Sequence, residues 1–75
     1  MDAKIVGATI SALRKRDGMT QAELAAALSV SDKTVSKWEN GKGYPDISLL
    51  ENVAEALGVS VAELLSGQVV RNGNV

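Results

Sequence analysis

Asp32, Lys33, Ser36 and Lys37 are the residues whose types and spacing could do chemistry. On a helix they fall at i, i+1, i+4 and i+5 and so share one face. The chemistry they offer is recognition. Two ammonium groups, a carboxylate and a hydroxyl can donate to and accept from a polar surface laid against them. Lys33 and Lys37 stand four apart, and a like-charged pair at that spacing costs an isolated helix roughly 0.2–0.5 kcal/mol. An anionic surface opposite turns that cost into a gain. An ordinary solvated face is the plainer alternative.

Bond-making chemistry has little to work with. The 75 residues include no His and no Cys. The usual general bases and thiol nucleophiles are therefore missing. A disulfide framework and a zinc site of the usual Cys/His kind are excluded as well. The carboxylates scatter over expected helix exteriors, and the serines fall at cap positions or outward faces. Gly41-Lys42-Gly43 lacks the spacing of a phosphate-binding loop. The sequence gives no reason to expect an enzyme, a cofactor, a metal or a small-molecule ligand.

The face that carries Asp32, Lys33, Ser36 and Lys37 needs elements to hold it out. Val6, Ile10 and Leu13 recur at helical spacing and predict a first helix from about Lys4 to Arg16. Arg14, Lys15 and Arg16 fall in its last turn, where cations suit the dipole. Gly18 is a natural stop. Thr20-Gln21-Ala22-Glu23 reads as a capping box opening a second helix to about Leu28, with Leu24, Ala25 and Leu28 inward. Ser29-Val30 interrupts it. Ser31 then caps a third helix from Asp32 to about Glu39, with Val35 and Trp38 on its inner edge. Two short helices joined by about three residues cross steeply, so the second can project from the domain. Ala25 is small where the two helices must touch.

Asn40 to Pro45 is a loop by composition. Asp46 can cap a fourth helix, in which Ile47, Leu50, Val53, Ala54 and Leu57 form an apolar stripe and Gly58 marks the end. Ser60 and Glu63 form a second capping box and open a short fifth helix through Leu64 and Leu65. The expectation is one all-α domain over 1–66, a compact five-helix bundle, with a flexible tail or linker start over 67–75.

Composition agrees with that picture. One domain of this length lies near the lower limit for a self-sufficient core. The hydrophobic fraction is 45% without any Phe, a mix that suits short helices in close contact better than a sheet. No apolar run approaches the roughly 20 residues that span a bilayer. Met1-Asp2-Ala3-Lys4 lacks the basic start of a signal peptide. A cytoplasmic location and no membrane partner are expected. The net charge of −1 speaks against a strongly basic binder, but it is unevenly spread, +2 over residues 1–42 and −3 over 43–75. Such asymmetry can orient a domain on an anionic partner.

Thr20-Gln21-Ala22-Glu23-Leu24-Ala25, Val30-Ser31, the run Thr34 to Gly41, and Pro45, taken in order, resemble the Cro/phage-repressor family, also called XRE. Val6-Gly7, Ile10, Leu13 and Arg14 resemble its first helix. Leu57-Gly58-Val59-Ser60 and Glu63-Leu64-Leu65 resemble its closing one. The likeness covers roughly Val6 to Leu65. It implies a helix-turn-helix formed by helices two and three, with the third helix in the major groove of double-stranded DNA. Carried over by position, it makes Asp32, Lys33, Ser36 and Lys37 base readers. It makes Gln21, Thr34, Asn40 and Lys42 phosphate contacts, and Arg14 and Glu39 a buried pair. One departure is Ser29, which stands where the turn often has Gly. If left-handed, it costs on the order of 1 kcal/mol.

Blander roles remain for several of these residues. Asp32 can simply favour a helix N-terminus. Lys15 and Arg16 can be plain C-terminal charge. Trp38, three residues from Val35, reads as core rather than as a stacking platform. If Asp32 does read a base it accepts from cytosine, and Lys33 or Lys37 donates to guanine, which places a G·C pair in the half-site. The expected function is sequence-specific DNA binding by a transcriptional regulator, a repressor in the first instance, acting as a homodimer on a pseudo-palindrome. The alternative is a protein-interaction module, such as an antitoxin or adaptor, with weak DNA affinity.

Overall fold

The computed structural model describes residues 1–69. Five helices follow one another: α1 (Ala3–Arg16), α2 (Gln21–Leu28), α3 (Asp32–Glu39), α4 (Ile47–Leu57) and α5 (Val61–Ser66). Each begins at a short polar side chain that accepts from backbone N–H groups of the first turn. Asp2, Thr20, Ser31, Asp46 and Ser60 do this in chain order. At Thr20 and Ser60 the capping box is complete, with Glu23 and Glu63 bonding back to the cap N–H.

α1 packs across α3 and α5, and α2 packs against α3 and α4. The core they enclose is aliphatic apart from Trp38. Val6, Ile10, Leu24, Val35, Val53, Leu57 and Leu64 are fully buried in it. α1 approaches α3 closely at Gly7, where an added Cβ would overlap the Trp38 carbonyl oxygen. Side-chain size at position 7 thus sets how near α1 lies to the end of α3. The loop before α4 is anchored by Pro45, which is itself fully buried.

Ile47 departs from the expected α4 stripe. It is 83% exposed, while Leu50, Val53, Ala54 and Leu57 are buried as expected. Ile47 is the first helical residue, and helical side chains lean toward the N-terminus. Its side chain therefore points past the end of the core instead of onto it. α5 ends at Ser66, and Gly67 is its C-cap. Val69 packs against the core, and the Gln68 N–H donates to Ser66 Oγ. The remainder of the expected tail, 70–75, lies outside the described residues.

Candidate nucleic-acid interface

The turn between α2 and α3 is built on Ser29. Its φ of 59° and ψ of 39° are left-handed, the only such non-Gly residue among those described. Ser29 N–H donates to the Ala26 carbonyl and Val30 N–H to the Ala25 carbonyl, which closes a Schellman turn. The same pair of bonds ends α4, but there Gly58 holds the left-handed position. Ala25, the small residue expected at the helix crossing, is buried at 2% exposure.

α3 is pinned from beneath by Val35 and Trp38, both buried. Trp38 is 4% exposed, so no ring face is available for stacking on a ligand. With 35 and 38 inward, Asp32, Lys33 and Lys37 are exposed and Ser36 is half-buried on the opposite side. Lys33, Lys37 and Lys42 make no ion pair among the described residues. The Lys37 stem runs toward the loop after α3, with its Cε beside Gly43. Asp32 is the acidic residue of the first turn of α3, which also suits the helix dipole.

A buried polar network ties this face to α1. Arg14 grips Glu39 with two bonds, Nε to Oε2 at 2.7 Å and Nη2 to Oε1 at 2.9 Å. The two side chains are only 10% and 6% exposed. Arg14 Nη1 also donates to the Met19 carbonyl at 2.8 Å. Gln21 Nε2 donates to Glu39 Oε1 at 3.0 Å. Burial pushes the Glu39 carboxyl up, but the bonds from Arg14 and Gln21, the Arg14 charge and the Ser11 hydroxyl outweigh it. The net shift is down, so Glu39 is held ionised.

The remaining expected contacts sit as follows. Gln21, half-buried at the start of α2, spends one of its two amide N–H groups on Glu39 and keeps the other. Thr34 Oγ1 shares a hydrogen bond with Ser31 Oγ at 2.9 Å. Asn40 turns its amide inward, with Nδ2 donating to the Ser36 carbonyl at 2.8 Å and to Ser36 Oγ at 3.3 Å. Both acceptors belong to Ser36, so one N–H of the amide can serve them in a three-centre bond and leave the second for a phosphate. Lys42 is exposed on the loop. Arg16 faces elsewhere. It pairs with Asp17 and donates from Nη2 to the Leu57 carbonyl at 3.1 Å, tying α1 to the end of α4. The sequence offered no signal for the Asn40–Ser36 link beyond an i, i+4 spacing.

A family model described as Helix-turn-helix matches residues 10–64. The chain belongs to the XRE type of helix-turn-helix regulators. It is 45% identical over 56 residues to the transcriptional activator BcrR of Enterococcus faecalis, covering 75% of this chain and 28% of that protein. It is 38% identical over 63 residues to the regulator y4dJ of Sinorhizobium fredii, covering 84% and 82%. Phage repressors match over comparable stretches. Among solved structures, the clp gene regulator ClgR of Corynebacterium glutamicum superposes with a TM-score of 0.81 at 36% identity, covering 88% of this chain and 70% of that one. The chain is thus an all-helical transcriptional regulator domain with its helix-turn-helix at α2 and α3. Among the described residues, no helix is long and apolar enough to cross a membrane.

Proposed function

We propose that this protein binds double-stranded DNA sequence-specifically, with α3 lying in the major groove. The observation that carries the reading is a helix pinned by Val35 and Trp38 whose outer face holds Lys33 and Lys37 without ion-pair partners among the described residues. Asp32, Lys33, Ser36 and Lys37 read base edges. Gln21, Thr34, Asn40 and Lys42 contact phosphates, which fixes register without carrying sequence information. One domain presents few reading side chains. The functional unit is therefore a homodimer on a pseudo-palindromic operator, its half-sites about 34–36 Å apart. Occupancy of such a site blocks transcription sterically, which makes repression in the cytoplasm the default outcome. The half-site contains a G·C pair, and selection of a site made only of A·T pairs would contradict that.

The test is duplex binding by fluorescence anisotropy with Lys33 and Lys37 both replaced by Ala. Affinity should fall about tenfold or more while the helical circular dichroism is unchanged. Undiminished binding would remove α3 from the interface.

One observation favours a second reading, a module that docks protein. Tyr44 and Ile47 are 45% and 83% exposed on either side of Pro45 and Asp46. A partner seated there would be indifferent to the Lys33 and Lys37 replacements, so the same experiment separates the two.

A further inference from the structure

Ser36 is held in a state that restricts which base it can read, an inference that rests on α3 facing DNA. The Ser36 carbonyl oxygen can only accept a hydrogen bond. The 2.8 Å contact to it therefore fixes the Asn40 amide with nitrogen inward. That nitrogen also reaches Ser36 Oγ at 3.3 Å, so one lone pair of the hydroxyl is taken. Its proton must then point away from Asn40. A helical Ser or Thr commonly donates to the carbonyl four residues back, as Thr9 does to Ile5 at 2.8 Å. Ser36 makes no such bond to Asp32 among the described residues. Its hydroxyl proton is consequently the one group at that position without a protein acceptor.

We propose that Asn40 sets Ser36 as a hydrogen-bond donor, and that Ser36 selects a base presenting an acceptor in the major groove and rejects cytosine. Purine N7, guanine O6 and thymine O4 are acceptors, whereas cytosine shows only its N4 amino donor. A hydroxyl that accepted from both Asn40 and cytosine would be buried with its own proton unpaired. Leaving a buried polar group unpaired costs more than a made hydrogen bond gains. Asn40 is thus a positioning residue for recognition in addition to its place beside the backbone.

The experiment selects a site for the full chain from randomised duplexes and then varies each base pair in turn. Binding is measured for the wild type, Ser36→Ala and Asn40→Ala. At one position the wild type should disfavour cytosine about three- to tenfold. Both variants should lose that discrimination, whatever Asn40→Ala does to overall affinity. A purely structural role for either residue would weaken binding to all four bases alike. Discrimination that survives either replacement, or a preference for cytosine at the Ser36-dependent position, would overturn the inference alone. A wild-type protein that selects no site would overturn the DNA-reading proposal with it.

Discussion

Glu39 accepts from Arg14 and Gln21 with its side chain only 6% exposed, and that makes it the residue whose loss should cost most. Removing one partner of a buried ion pair leaves the other charge uncompensated, at about 3–5 kcal/mol. Glu39→Gln should therefore lower the melting temperature sharply, as read by thermal denaturation at neutral pH. Its acid response should change as well. Glu39 titrates below its ordinary value of 4.5 in the folded protein. Its stabilisation is fully present above that value and is lost as pH falls through the lower folded one. The wild type should lose stability over that acid window, and Glu39→Gln should lose less there. Ser29 offers the opposite sign. It pays for a left-handed backbone that Gly58 adopts freely at the matching turn of α4. Ser29→Gly should stabilise by up to about 1 kcal/mol, less the backbone entropy that Gly loses on folding. For a domain of this size 1 kcal/mol corresponds to about 4–8 °C in melting temperature. The sequence flagged Ser29 conditionally and paired Arg14 with Glu39 through the family likeness. It was silent on the inward turn of the Asn40 amide, because a rotamer set by two competing acceptors leaves no mark on residue spacing.

Helix ends were the most legible elements, since polar caps at Thr20, Ser31, Asp46 and Ser60 and the glycine stops are local chemistry that spacing records. Ile47 was misread for a reason at the same scale. Periodicity gives the direction of a side chain around the helix axis but not where along that axis the core stops. The contact between α1 and α3 was likewise hidden, because Gly7 gains its meaning only from the Trp38 carbonyl facing it. Gly7→Ala should push α1 away from α3 and destabilise by about 1–3 kcal/mol, the usual range for overpacking. Chemical denaturation would measure it. A neutral result would mean that α1 can shift without strain. Because α3 carries the proposed reading face, the same replacement should weaken duplex binding by more than the unfolded fraction accounts for.

At the scale of the molecule, lysines without ion-pair partners among the described residues stand on α3 and the loop after it, with Glu51 and Glu55 exposed on α4. If the basic side meets DNA, log affinity should fall linearly with log salt, with a slope of about −0.9 per phosphate neutralised. Lys42→Ala should flatten that slope by about 1 and leave base preference alone, while Lys33→Ala should alter preference at one base pair by about 1–3 kcal/mol. Equal effects from the two would erase the division between phosphate and base contacts. The claim beneath all of these is that α3 is the surface DNA meets. Amide NMR spectra recorded while a random-sequence duplex is added at low salt test it most directly, since the operator need not be known. The account predicts shifts concentrated at Gln21, from Ser31 to Lys37 and from Asn40 to Lys42. Shifts confined to α4 and α5, or none at high duplex concentration, would contradict it.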